Sequence, residues 1–152
     1  MPEHTFEQEC LIPAPLDRAF AFFSDATNLA RITPPQLGLR VLTPTPIPMK
    51  AGTEITYRIR VRGIPLRWTS RITVWEPGKR FIDEQLRGPY KLWVHEHRFE
   101  ATPNGTRMFD HVRYSTPMDW LVHRWLVAPD IKRIFEHRTR VILEVFGPPP
   151  SP

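Results

Sequence analysis

Residues 90–115 read YKLWVHEHRFEATPNGTRMFDHVRYS and contain the pattern that determines the fold. Polar and apolar side chains alternate on both sides of residues 103–105, whose sequence Pro-Asn-Gly is typical of a tight turn. Because successive side chains of a strand point to opposite faces, the alternation predicts two strands, 90–100 and 106–115. A connection this short joins neighbouring antiparallel strands, so the stretch predicts a β-hairpin.

The same alternation extends towards the N-terminus through three more segments, 53–62, 66–75 and 80–86. Short stretches rich in glycine and proline separate them, which favours an antiparallel meander. Residues 4–12 and 37–43 have the composition of two further strands. The sequence therefore predicts a seven-stranded antiparallel sheet.

Helical periodicity appears before and after the meander. Residues 15–24 and the turn at 28–32 predict two short helices between strands 1 and 2. Near the C-terminus, residues 119–127 predict a short helix and 129–146 a long one of about 27 Å. The long helix has one apolar face, formed by Ile131, Ile134, Phe135, Val141, Ile142, Val145 and Phe146.

Composition indicates one globular domain. The chain has 152 residues, of which 41% are hydrophobic, and we assign 1–147 to a single domain and 148–152 to a disordered proline-rich tail. We expect no stable membrane insertion and no signal peptide, since the apolar runs are short. With Cys10 as the single cysteine, we expect a cytoplasmic protein. The net charge is +5, but the arginines are scattered, so we predict no nucleic-acid partner.

Six local segments and the order of elements resemble one superfamily. The segments are WTSRI (68–72), FIDEQ (81–85), GPY (88–90), WVHEHRF (93–99), MFD (108–110) and RIFEHR (133–138). The chain resembles the SRPBCC or START-like superfamily, which includes Bet v 1-like proteins and polyketide cyclases, and within it a bacterial ligand-binding branch. The resemblance implies an α+β helix-grip fold, in which a curved seven-stranded antiparallel sheet wraps around a long C-terminal helix and encloses a pocket.

The phase of each strand predicts which side chains reach that pocket. Charged residues mark the solvent face of each strand, so the residues that alternate with them point inward. In segment 66–75 this places Val74 on the inner face. The inner face is mostly apolar with a polar subset, which is typical of a small-molecule pocket. The residues that we predict to contact a ligand are Tyr57, Trp68, Ser70, Phe81, Asp83, Gln85, Trp93, Phe99, Met108, Tyr114 and Phe135. We expect a small hydrophobic or amphipathic ligand: lipid-, polyketide- or aromatic-like.

His95, His97 and Asp110 form the candidate catalytic group. A histidine oriented by a carboxylate moves protons near neutral pH, so a cyclase or dehydratase using these residues is the alternative function. The same side chains also fit a hydrogen-bonded network that only stabilises the sheet. Two histidines at i and i+2 fit a metal as well, but no spacing fixes a third ligand. We predict neither a metal nor a cofactor, and the sequence leaves open a monomer or a homodimer.

Overall fold

The computed structural model describes residues 2–148, apart from the side chains of Val122, Arg124 and Trp125. The predicted tail therefore lies outside the described residues except for Pro148. Along the chain the elements are β1 (His4–Ile12), α1 (Leu16–Phe23), β2 (Arg40–Val41), β3 (Glu54–Val61), β4 (Ile64–Glu76), β5 (Arg80–Arg87), β6 (Leu92–Thr102), β7 (Gly105–Ser115), α2 (Asp119–Val122) and α3 (Ala128–Phe146). Two short 3-10 turns, Ala26–Asn28 and Pro35–Leu37, lie between α1 and β2.

All seven strands belong to one antiparallel sheet with the order β1-β7-β6-β5-β4-β3-β2. Strands β3 to β7 form the predicted meander, and β1 returns to pair with β7, with His4 opposite Tyr114. Helix α3 packs on the inner face through Ile131 and Phe135, which are almost completely buried. The predicted α+β class and seven-stranded sheet are confirmed.

The hydrophobic core divides into two clusters of buried side chains. One surrounds α1 and includes Phe20, Phe23, Phe99, Met108 and Ile142. The other lies under the first half of α3 and includes Trp68, Trp93, Val112, Ile131 and Phe135. The division matters for function because residues of both clusters line the cavity described below.

A β-bulge in β4 reverses the predicted direction of the side chains at its C-terminal end. The register with β5 shifts between Ile72 and Val74, so that Trp75 lies opposite Phe81. Directly opposed residues of an antiparallel pair share a face, which places Trp75 inside, with its ring centroid 5.8 Å from that of Phe81. The prediction that Val74 points inward was therefore wrong, because the extra residue shifts the alternation by one.

The strand predicted at 37–43 is much shorter in the structure. Only Arg40–Val41 pair with β3. The 3-10 turn Pro35–Leu37 precedes them, and Gly38 follows it with the left-handed φ of 52°. Beyond the pair, the amides of Leu42 and Thr43 both donate to the carbonyl oxygen of Thr56, which ends the regular ladder.

The short helix predicted at 119–127 continues into the long helix. Helix α2 is followed by a π-helical turn, His123–Val127, and α3 begins at Ala128 without a break. Pro129 lies in the first turn of α3, directly after the π-helical turn. No helix among the described residues is long and apolar enough to cross a membrane.

Candidate functional site

A cavity of about 170 Å³ lies between the inner face of the sheet, α3 and the segment 23–39. Strands β3 to β6 supply one wall, and Leu29, Ile32 and Leu37 of the segment supply part of the other. For comparison, an engineered protein cavity of about 150 Å³ accommodates benzene. The cavity therefore has room for a small organic molecule.

Aromatic side chains form part of the apolar wall. Trp68 and Trp93 stand perpendicular to each other with ring centroids 5.4 Å apart, and Tyr90 packs 4.8 Å from Trp93. Trp68 donates its indole N–H to Ser70 Oγ at 2.9 Å, so the polar group of this buried ring is satisfied within the wall. Phe135 of α3 also lines the cavity.

Two histidine–carboxylate pairs lie at the polar side of the cavity. His95 Nε2 is 2.7 Å from Asp110 Oδ1, and His97 Nε2 is 2.7 Å from Asp83 Oδ2. The strand register brings them together, since Asp83 lies opposite His95 and His97 lies opposite Asp110. The two imidazole rings stack with centroids 3.6 Å apart. Each hydrogen bond thus runs diagonally between neighbouring strands.

Arg138 of α3 completes this group, and the sequence analysis did not identify it. Its side chain is only 6% exposed and lies beside the rings of Phe23 and Phe135. Its Nη2 atom is 3.5 Å from Asp110 Oδ1. Arg138 lies three residues after Phe135 and four before Ile142, on the same helix face. A charged residue within that apolar stripe is the signal that could have identified it.

The charges in the group lower the pKa values of both carboxyl groups. Burial alone raises the pKa of Asp110, but the charge of Arg138 and the hydrogen bond from His95 outweigh it and lower the pKa well below its usual range. Burial likewise raises the pKa of Asp83, and the hydrogen bond from His97 reverses the shift. Both side chains are therefore carboxylates at neutral pH.

His97 is neutral at the same pH. Burial and the neighbouring His95 lower the pKa of His97 to about 4, although Asp83 acts in the opposite direction. A carboxylate only accepts hydrogen bonds, so Nε2 of His97 carries the proton and donates to Asp83. The Nδ1 atom of His97 is then a lone-pair acceptor.

Two polar atoms of the group are buried and have no hydrogen-bond partner: His97 Nδ1 and Arg138 Nη2. Both lie near one oxygen, Asp110 Oδ1, at 3.7 Å and 3.5 Å, beyond good hydrogen-bond geometry for either. An unsatisfied buried polar group costs about 1–3 kcal/mol. One acceptor and one donor thus lie without a partner near the same carboxylate oxygen.

Most of the predicted ligand-contacting residues line the cavity. They are Tyr57, Trp68, Ser70, Phe81, Asp83, Trp93 and Phe135, together with the histidines at 95 and 97. Asp110 does not line it but lies behind the histidines. Phe99 and Met108 pack in the α1 core instead, and the hydroxyl of Tyr114 lies 2.8 Å from His123 Nε2. Phe99, Met108 and Tyr114 therefore lie on the inner face of the sheet but away from the cavity.

Gln85 also lies outside the cavity and clamps a turn. Its amide donates to the Tyr90 carbonyl oxygen at 2.7 Å and accepts from the Tyr90 N–H at 3.1 Å. Gly88 in the same turn has a φ of 157°, and a Cβ atom there would overlap the Gln85 side chain. Gln85 therefore positions Tyr90 on the cavity wall.

Comparison with known proteins identifies the family. The family model described as polyketide cyclase / dehydrase and lipid transport matches residues 12–140. The chain belongs to this family. Comparison with curated protein sequences found no significant match.

Solved structures share the helix-grip fold with this family member. The ZhuI aromatase/cyclase from Streptomyces sp. R1128 superposes with a TM-score of 0.71 at 19% identity, over 94% of this chain and 93% of that chain. Protein CV1439 from Chromobacterium violaceum gives 0.74 at 15% identity, over 95% and 99%. The major latex-like protein 151 from Panax ginseng gives 0.69 at 12% identity, over 96% and 99%. At these identities the likeness establishes the fold alone.

Three possible metal ligands lie close together beside the cavity. One ligand atom each from Asp83, His95 and His97 lies within 4.8 Å of the others. Two features oppose a cation. The imidazole rings are stacked, so their in-plane lone pairs do not point to one common position. Arg138 also brings a positive charge close to Asp110. The absence of a metal remains a prediction.

Proposed function

We propose that the protein binds a small, uncharged amphipathic molecule in the cavity. Its apolar body would pack against Trp68, Trp93 and Phe135, and its polar end would meet His97 and Arg138. The observation that carries the proposal is the pair of unpartnered buried atoms, His97 Nδ1 and Arg138 Nη2, beside an aromatic-walled cavity. Apolar walls with a few convergent polar groups are typical of small-molecule sites.

Volume limits the size of the ligand. A cavity of about 170 Å³ suits a one- or two-ring compound or a short acyl group. The family description includes lipid transport, but a full lipid chain exceeds this volume. An aromatic or polyketide-like fragment therefore fits better than an intact lipid.

Charge and hydrogen bonding define the polar end of the ligand. Asp83 lines the cavity and its lowered pKa keeps it a carboxylate at neutral pH, so a buried ligand carboxylate would meet a like charge and be repelled. A hydroxyl group satisfies both free atoms, because it donates to His97 Nδ1 and accepts from Arg138 Nη2. We therefore favour a phenol or alcohol over an acid.

We predict that the protein binds 2-naphthol and that 2-naphthoate binds at least about tenfold more weakly, measured by isothermal titration calorimetry. Native mass spectrometry of the purified protein, before and after denaturation, would first reveal any ligand already present. Ala26 lines the cavity, so Ala26→Leu should fill part of it and weaken 2-naphthol binding at least about tenfold.

The matched control is Ala21→Leu, since Ala21 lies on the exposed side of α1 and should leave the affinity unchanged. Absence of any bound mass, together with no binding across a panel of naphthols and short acyl alcohols, would refute the binding proposal. Equal affinity for 2-naphthoate would refute only the preference for an uncharged ligand.

A second candidate function is acid–base catalysis of the cyclase or dehydratase type. The arrangement Asp83–His97 favours it, because a carboxylate that accepts from one ring nitrogen leaves the other free to take a proton. Arg138 Nη2 is available for a developing oxyanion. In a dehydration, His97 Nδ1 would take the proton next to a carbonyl and then return it to the β-hydroxyl group, which leaves as water as the C–O bond breaks and the C=C bond forms. Asp110, which contacts His95 and not the cavity, would act as a positioning residue.

We predict that any β-hydroxyketone dehydration by the protein depends on His97. His97→Gln keeps a donor for Asp83 but removes the base, so kcat should fall at least about 100-fold with little change in KM. His137→Gln is the control, because His137 is half-buried, does not line the cavity and is bonded to the Arg31 carbonyl oxygen. Steady-state kinetics by ultraviolet absorbance of the enone provides the measurement. Turnover that survives His97→Gln excludes this mechanism.

A further inference from the structure

Large apolar side chains are exposed mainly at one end of the sheet. Strands β3, β5 and β7 all end there. The connections that follow them, taken together with the adjoining strand residues as 62–64, 86–91 and 116–127, therefore lie at the same end of the sheet. Six of the eight exposed large hydrophobic residues among those described lie in or beside these connections: Ile64, Leu86, Met118, Trp120, Leu121 and Leu126. We call these three connections the apolar rim.

The exposure at the rim is large and unusual for these residue types. Trp120 is 83% exposed, Ile64 62% and Met118 55%. Burying such side chains is favourable, and a rim of this composition is typical of an interaction surface. None of these side chains lines the cavity, so ligand binding does not account for them.

Basic residues accompany the apolar ones. Arg87 and Lys91 are exposed in the connection between β5 and β6. In the described part of the chain, neither has a carboxylate within ion-pair distance. The one acidic residue of the three connections is Asp119, which is largely buried and bonded to His4. Arg62 of the rim pairs with Asp130 of α3, so the basic character of the described rim rests on Arg87 and Lys91, and the rim is both apolar and basic.

The opposite end of the sheet differs in composition. Its tight turns contain Pro77-Gly78-Lys79 and Pro103-Asn104, and no large hydrophobic residue of these turns is exposed in the described structure. The connection 42–53, which also lies at this end, exposes Leu42, but the apolar rim has more exposed large hydrophobic residues than this end. This difference identifies the apolar rim as the candidate contact surface, and residues at the opposite end can serve as controls.

We propose that the apolar rim docks the protein onto the surface of an anionic lipid bilayer. Tryptophan prefers the boundary between headgroups and acyl chains, and each nearby lysine or arginine adds attraction to an anionic leaflet. The apolar side chains project from three separate connections. A fluid lipid surface can accommodate each of them. The contact is peripheral and involves no spanning segment.

The charge pattern argues against a second copy of this chain as the occupant. A two-fold symmetric interface places the same patch of both copies together. Arg87 and Lys91 of one copy would then approach their own equivalents without compensating carboxylates, which is unfavourable. Anionic headgroups complement these charges.

Vesicle cosedimentation of the full chain tests the proposal. The vesicles contain phosphatidylcholine with 40% phosphatidylglycerol, or phosphatidylcholine alone, in about 50 mM and 500 mM NaCl. We expect binding to the anionic vesicles at low salt, with a loss of at least about tenfold at high salt or without phosphatidylglycerol. Trp120→Ser with Leu121→Ser should lower the partition coefficient about tenfold, and Arg87→Gln with Lys91→Gln about twentyfold.

The controls are Leu42→Ser with Leu143→Ser, which remove the two exposed leucines outside the rim, and Lys79→Gln at the opposite end. These variants should bind as the wild type does. Failure of the wild type to bind anionic vesicles at low salt overturns the proposal, as does an equal loss in the controls. Sedimentation equilibrium without vesicles adds a further criterion: a dimer that Trp120→Ser dissociates would assign the rim to self-association and overturn membrane docking.

Discussion

Replacing Asp110 by asparagine is expected to lower the free energy of unfolding by about 3–5 kcal/mol. Asp110 is 3% exposed and accepts from His95 while facing Arg138 at 3.5 Å. The substitution preserves the volume but leaves the buried guanidinium without its nearest carboxylate, and removing one partner of a buried ion pair has an effect of this size. Urea unfolding at pH 7, followed by tryptophan fluorescence, measures the change.

A double variant separates the charge effect from general damage. Asp110→Asn with Arg138→Met removes both charges, so it should recover at least about half of the loss. As a surface control, Glu54→Gln breaks the exposed pair with Arg71 and should cost less than about 1 kcal/mol. If Asp110→Asn costs as little as this control, or if the double variant is no more stable than the single, the buried pair does not stabilise the protein as described.

The strands could be predicted because charge marks one face of each. Arg58 and Arg60 on β3 fix the phase that turns Ile59 inward, and the structure agrees. The phase fails in β4, where residues 73–75 are Thr-Val-Trp. The signal lies one residue further on: Glu76, the charged last residue of β4, is bonded by Arg80 and is in phase with Val74, so it marks Val74 as outward and Trp75 as inward.

Most residues of the candidate site could be predicted from the sequence, but the contacts between them could not. Spacing of two along β6 brings His95 and His97 to one face, and the same alternation turns Asp83 inward. Which carboxylate contacts which histidine depends on the stagger between β5, β6 and β7, which alternation does not specify. Arg138 depends in addition on the rotation of α3 against the sheet, a tertiary property.

Acidification is expected to destabilise the protein in two successive steps. Burial and His95 lower the pKa of His97 to about 4, against about 6.5 in an unfolded chain. Between these values the unfolded state binds more protons, so the free energy of unfolding falls as the pH decreases from about 6.5 to 4. This shift corresponds to at most about 3 kcal/mol. Below pH 4 the protonation of Asp83 and Asp110, whose pKa values the fold lowers, removes further stability.

The first step can be assigned to one residue. His97→Gln removes the titrating group, so the slope of stability against pH between 6.5 and 4.5 should decrease by up to about 1.4 kcal/mol per pH unit, measured by urea unfolding at each pH. His123 contributes with the same sign, because burial and His4 lower its pKa as well, and some slope should therefore remain. His111→Gln, on the exposed face of β7, controls for the loss of a histidine. An unchanged slope in His97→Gln would mean that the fold does not lower the pKa of His97, which would then be protonated in the folded protein below about pH 6.5. The free acceptor at Nδ1, on which both proposed functions depend, would then be lost over that acidic range.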